Sequence, residues 1–198
     1  KDGICRISLA FASSNKPSSS SALLFGFIDH LLSGGLGAFL YSVLRTQLQR
    51  VYGVAVKGET VGDSLLVWVT TSCPRKHGRV TLEALVAALS VARQGGIPVD
   101  MIERAKTSFE FSLGAGCWTS PAHVAGFYGP QYAIYRGAVT SPAQLESAVR
   151  AIGPGQVAEI VRGFLPENAC SVTFGTPGPL TRRLSLSRAL NRRVTRRR

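Results

Sequence analysis

Between Leu31 and Val56 the apolar residues change period, and the rest of the chain is arranged about that change. Leu36, Phe39, Leu40, Val43 and Leu44 follow the spacing of one helix face. Tyr52, Val54 and Val56 then alternate with Gly53, Ala55 and Lys57, as in a half-buried strand. Gly34-Gly35 breaks the chain just ahead. The pattern therefore predicts a glycine turn, a helix and a strand in close succession. Two polar side chains mark its far end: Arg45 late on the helix, and Tyr52 where the strand begins.

The flanking segments follow the same logic. Ile4 to Phe11 alternates and predicts a strand with a buried face. A Ser-rich loop with Pro17 leads to a helix over Ala22 to Leu32. Gly62-Asp63 is a turn signal, and Ser64 to Thr70 is rich in β-formers, so the two strands form a hairpin. Pro74 to Arg79 is a basic loop. Thr81 starts a helix with Leu82, Leu85, Val86 and Leu89 on one face, stopped by Gly95-Gly96. Pro98 and Asp100 open the next, which carries Ile102, Ala105 and Phe109, and Gly114 to Gly116 interrupts it. Ser120-Pro121 starts a helix to about Tyr135, and Ser141-Pro142-Ala143-Gln144 is a capping box. Gly153-Pro154 precedes a short helix over Gln156 to Phe164, and Ala169 to Phe174 is the closing strand. The order predicts an α+β fold, an antiparallel or mixed sheet covered on one face by helices. Pro177 and Pro179 end the domain, which divides the chain into 1–176 and a Pro-led, Arg-rich tail over 177–198.

Composition changes this picture in one place. The net charge of +12 suggests a nucleic-acid partner until it is located. Thr181 to Arg198 holds eight arginines and no acid, so the body carries fifteen Lys and Arg against eleven Asp and Glu. In the tail, Leu186, Leu190 and Val194 stand four apart among arginines. It suits an acidic protein face, RNA or anionic lipid, or equally a solubilising extension. Cys5, Cys73, Cys117 and Cys170 lack Cys-x-x-Cys spacing and read as buried free thiols. No apolar run reaches membrane-spanning length. The chain begins at Lys1 rather than Met, which leaves room for an upstream portion.

The stretch Leu44-Arg45, six further residues, then Tyr52-Gly53-Val54 resembles the pitrilysin/insulinase type of zinc peptidases, in the half that does not bind metal. The glycine turn at Gly34 and Gly35, the helix and the Arg-to-Tyr spacing all match, and the order of elements agrees from about Ile4 to Gly175. The family's polar Ser-Arg ahead of the helix Leu is Ala38-Phe39 here. The family also includes the mitochondrial processing peptidase and the core subunits of respiratory complex III. The resemblance implies a single half-unit of that fold and a mitochondrial matrix or bacterial setting.

It implies an endopeptidase-family member that is inactive alone. Zinc in the family needs His-x-x-Glu-His on one helix and a distant Glu. His30, His77 and His123 are far apart in sequence and lack that Glu, so the expectation is no metal bound by this chain. His30 reads as a core or helix-end histidine, His77 as solvated, and His123 as structural. The family's matching Arg and Tyr reach into the zinc site of the other half. Arg45 and Tyr52 would then donate hydrogen bonds to the oxyanion of a peptide undergoing hydrolysis. The partner would be a zinc-bearing homologous half, as a separate chain or an upstream segment, and the ligand an unfolded peptide. The alternative is a structural subunit, like the complex III cores, that keeps the fold without the chemistry, with a basic tail for a nucleic-acid or membrane surface. Gly34, Gly35 and Gly37 do not form a phosphate loop, because no Gly-Lys-Ser/Thr follows.

Overall fold

The computed structural model describes residues 3–47, 49, 51–113, 120–135, 140–167, 170–175 and 182–184. Its elements in order are β1 (Ile4–Ala12), α1 (Ser19–Ser33), α2 (Phe39–Tyr41) running into a π-helical turn (Ser42–Gln47), β2 (Gly53–Val61) and β3 (Ser64–Pro74). A short 3-10 turn (Arg75–His77) leads to α3 (Gly78–Arg93), then α4 (Val99–Ser112), α5 (Pro121–Tyr135), α6 (Pro142–Ala151) and α7 (Pro154–Phe164). β4 (Cys170–Gly175) and β5 (Arg182–Leu184) complete a sheet of order β2-β3-β1-β4-β5.

Every described pairing in this sheet is antiparallel. β1 is the middle strand and shows why the sheet has one dry side. Cys5, Ile7, Leu9 and Phe11 are buried, while Arg6 is exposed and Ser8 and Ala10 are half-buried. The alternation of two residues per repeat puts the first set under the helices. Leu65, Val67, Val69 and Cys73 of β3 and Val56 of β2 join that face. α1 and α3 pack on the sheet, and α4, α6 and α7 pack around them. This is the predicted α+β layout.

The core is aromatic where helices cross. Phe27 of α1 is fully buried and meets Phe109 of α4 edge-on, with centroids 6.0 Å apart. Phe25 meets Phe164 of α7 at 5.4 Å. Phe25 also lies over Gly58 of β2, where an added Cβ would stand 2.6 Å from the ring. The Ser141 capping box is present, with the Ser141 hydroxyl accepting from the Gln144 N–H at 3.3 Å and Gln144 Oε1 accepting from the Ser141 N–H at 2.8 Å.

Some boundaries differ from the pattern. β3 continues past Thr70 to Pro74, because Ser72 and Pro74 pair with Arg6 and Ile4. α3 begins at Gly78 rather than Thr81, led in by the 3-10 turn. The sheet does not close at β4: Arg182–Leu184 pairs with Phe174 to Val172, inside the segment set apart as a tail. Gly114 to Gly116, Cys117, Pro177, Pro179, Leu186, Leu190 and Val194 lie outside the described residues. Cys5 and Cys73 are buried free thiols.

Truncating the α1–α4 aromatic contact tests this core. Phe27→Ala should cost about 3–5 kcal/mol in urea unfolding. Leu36→Ala, at a position that is 77% exposed, should cost less than about 0.5 kcal/mol.

Candidate functional site: a clamped turn with Arg45 and Tyr52

The site begins where α1 ends. The Gly34 N–H donates to the His30 carbonyl at 2.9 Å, and a Cβ at Gly34 would stand 2.5 Å from that same oxygen. Gly35 has φ +130°, a region essentially reserved for glycine. These two positions turn the chain away from α1. The Ala38 N–H donates to the Gly35 carbonyl at 3.1 Å, and helix starts at Phe39. Phe39, Leu40 and Leu44 are buried, as their spacing predicts. Leu36 is not. It precedes the first helical turn, so the apolar series starts at Phe39.

From Ser42 to Gln47 the helix widens to π geometry, which spacing alone did not predict. Gln49 has φ +50°, a left-handed conformation that lets the chain double back. The returning strand is tied to Arg45. Arg45 Nη1 donates to the Val51 carbonyl at 2.9 Å and to the Tyr52 carbonyl at 3.0 Å. The guanidinium also lies 5.9 Å from the centroid of the Tyr41 ring. The Tyr52 N–H donates to the Ser72 carbonyl at 2.9 Å, which fixes the turn against β3.

This arrangement places both candidates and corrects one of them. Arg45 and Tyr52 are brought together, but through the Tyr52 backbone. The alternation put Tyr52 at the start of a half-buried strand; β2 starts at Gly53, and Tyr52 is 59% exposed. Arg45 is also exposed, and among the described residues no carboxylate pairs with it. A guanidinium has five N–H donors. Two are directed at backbone carbonyls here, which leaves the others for a ligand oxygen.

The three histidines stand on or beside different helices. His30 ends α1 with Nε2 2.9 Å from Ser108 Oγ and its ring tilted on Phe109. His77 stands at the N-cap position of α3 with no side-chain capping bond, and is half-buried rather than fully solvated. His123 stands in the first turn of α5, its N–H bonded to Ser120 Oγ at 3.2 Å. Among the described residues no three His, Cys, Asp or Glu side chains converge as metal ligands.

Two polar residues near the turn escaped sequence reasoning. Ser33 Oγ donates to Asp29 Oδ1 at 2.6 Å and accepts the Val56 N–H at 3.0 Å, so α1 is stitched to the outer strand β2. Burial raises the Asp29 pKa above its ordinary value, against the opposing pull of Ser33, His30 and Lys57. The only trace of this link in the sequence is the four-residue spacing on one helix face.

Neither a family model nor a curated protein matches the sequence. Solved structures do match it. An inactive peptidase M16 domain from Pseudomonas fluorescens superposes with a TM-score of 0.77 at 15% identity, covering 91% of this chain and 42% of that one. The chain carries the fold of an inactive peptidase M16 domain. A protein from Alicyclobacillus acidocaldarius named as an M16-like peptidase gives 0.72 at 18% identity, covering 88% and 41%. The inactive peptidase domain of a protein from Bordetella parapertussis named as a zinc protease gives 0.67 at 16% identity, covering 91% and 96%. The chain thus spans about two fifths of the first two proteins and nearly all of the third. The fold agrees with the pitrilysin-type half-unit that the sequence resembles.

His30 gives the inactive-domain fold a pH signature at the root of this turn. Burial lowers its pKa below the ordinary 6.5, with Asp29 opposing. A lowered His pKa means that the unfolded chain binds the proton more tightly. Its contribution to stability is complete above 6.5 and is lost as pH falls through that value toward the folded pKa. His30→Gln should therefore lose less stability than the native chain between neutral pH and about pH 5.5, read by urea unfolding at each pH. Asp29 is present in both proteins, so its own opposite trend largely cancels in the comparison.

Proposed function

We propose that this chain is the non-catalytic, substrate-binding half of an insulinase/pitrilysin-type zinc metallopeptidase. It would complete the active chamber of a zinc-bearing half, supplied by another chain or by an upstream segment of the same one. The observation that carries this reading is the Arg45–Tyr52 turn: a guanidinium with unused donors, tied to an exposed tyrosine, in the fold of inactive peptidase domains. A zinc ion on the partner half would supply the activated water. This chain would bind the unfolded peptide, hold it extended and direct N–H and O–H donors at the oxygen where charge develops. Such donors act best when already positioned, and the bonds from Arg45 to the Val51 and Tyr52 carbonyls hold this turn before substrate arrives.

The second reading, a structural subunit without chemistry, is favoured by one feature. Arg45 already has a structural task, and those two backbone bonds account for its presence without catalysis.

The test starts with native mass spectrometry and metal analysis of the chain isolated with its partners. The peptidase reading expects a stable pair whose zinc is all on the other half. In that complex Tyr52→Phe should lower kcat about 100-fold, and Arg45→Ala should lower it at least as much. Full turnover in both variants, or a metal-free assembly with no zinc-bearing partner, selects the structural reading.

A further inference from the structure

The end of the sheet that carries Arg45 and Tyr52 also gathers most of the unpaired basic charge of the described body. Arg6 of β1 and Gly53 of β2 are both register partners of Ser72, so they flank it on either side. Neighbouring strands are about 4.8 Å apart, which puts Arg6 two strands from the Tyr52 backbone, on the sheet face away from the helices. Three residues past Ser72, Arg75 is pinned by its N–H bond to the Gly3 carbonyl at 2.8 Å. Lys76 follows. Arg6, Arg45, Arg75 and Lys76 are all exposed, and among the described residues none is paired with a carboxylate.

Among the described residues, the acids on the adjoining helix and hairpin are committed or distant. Glu83 pairs with Arg79 at 3.1 Å. Glu59 and Asp63 lie at the opposite end of the β2–β3 hairpin, Glu59 about 20 Å along the strand from Gly53. Nor do these cations serve the helix that follows them. α3 has no acid in its first turn, and Arg75, Lys76 and His77 lead directly into its N-terminus, where the macrodipole disfavours positive charge. Like charges held together against their own helix point to a ligand of the opposite sign.

We propose that this strand-end surface selects acidic peptide, with Arg75 and Lys76 receiving the carboxylates of an extended polypeptide that passes Arg45 and Tyr52. Calling that peptide a substrate rests on the function proposed above; its binding does not. Each exposed cation contributes little alone, but neighbouring like charges sum to a local potential that favours acidic sequence and that salt screens over about 8 Å at physiological strength.

The test is fluorescence anisotropy on the full chain, with a labelled Glu-rich peptide and the same peptide carrying Gln for Glu. The Glu peptide should bind about tenfold tighter, with a preference that falls as salt rises. Arg75→Glu with Lys76→Glu should weaken Glu-peptide binding about tenfold, and the milder Arg75→Gln with Lys76→Gln about threefold. Arg192→Glu with Arg193→Glu makes the same change of charge in the tail and should cost less than about twofold. Equal binding of the two peptides, no loss in the strand-end variants, or an equal loss in the tail variant would overturn the proposal. No zinc-bearing half is needed. Failure of the Tyr52→Phe turnover test with this preference intact would reject the peptidase reading alone.

Discussion

Two backbone carbonyls, those of Val51 and Tyr52, end on a single nitrogen of Arg45, and the local order of the site depends on that fork. The chain leaves the π turn and reverses through Gln49 in a left-handed conformation that is unfavourable for a residue with a side chain. Something must hold the far side of the reversal in place. Arg45 does so from within the same turn, and Ser72 does so from the neighbouring strand. The seven-residue spacing between Arg45 and Tyr52 therefore has a mechanical meaning: it is the length of a helix-to-strand reversal that one guanidinium can span.

The reversal also needs a fixed base, which backbone contacts at glycine supply. Gly34 has no room for a Cβ beside the His30 carbonyl, and Gly35 adopts a φ that other residues avoid. Gly58 lets the Phe25 ring lie directly on β2. With the Ser33 bond to the Val56 N–H, these contacts fix α1 against the outer strand from two sides. The turn with Arg45 and Tyr52 hangs from that assembly, so its position is set by packing several residues away from any polar atom of the site.

Much of this was readable in the sequence, for a common reason. The alternation of β1, the Gly62-Asp63 hairpin, the Phe39, Leu40 and Leu44 face and the Ser141 capping box are local patterns whose period or chemistry is set by neighbours in the chain. What escaped depends on contacts between elements. The burial of Leu36 was misjudged because periodicity cannot say where a helix begins after a glycine turn. The π turn has no signature of residue type, and a three-residue β5 is too short to carry a period. The Asp29–Ser33–Val56 link joins a helix end to a strand N–H, which no spacing announces. Arg75 and Lys76 read as part of a basic loop, and only the pairing of β1 with β3 ties Arg75 to the Gly3 carbonyl at the end of the sheet.

The two site residues do not bear equally on function. Arg45 bonds to main-chain carbonyls, and those are the same whatever side chain stands at position 52. The fold therefore has its own reason to keep an arginine at 45, and the presence of that arginine says little about chemistry. Tyr52 is different. Its backbone is held through its N–H and its carbonyl, its side chain is 59% exposed, and the buried face of β2 begins beyond it. Neither backbone bond requires a phenol at this position. Single exposed aromatics are ordinary on protein surfaces, so exposure alone assigns the phenol no role. Phenylalanine at 52 leaves both backbone bonds intact, so that substitution removes the hydroxyl without disturbing the turn, whereas a change at Arg45 does both at once.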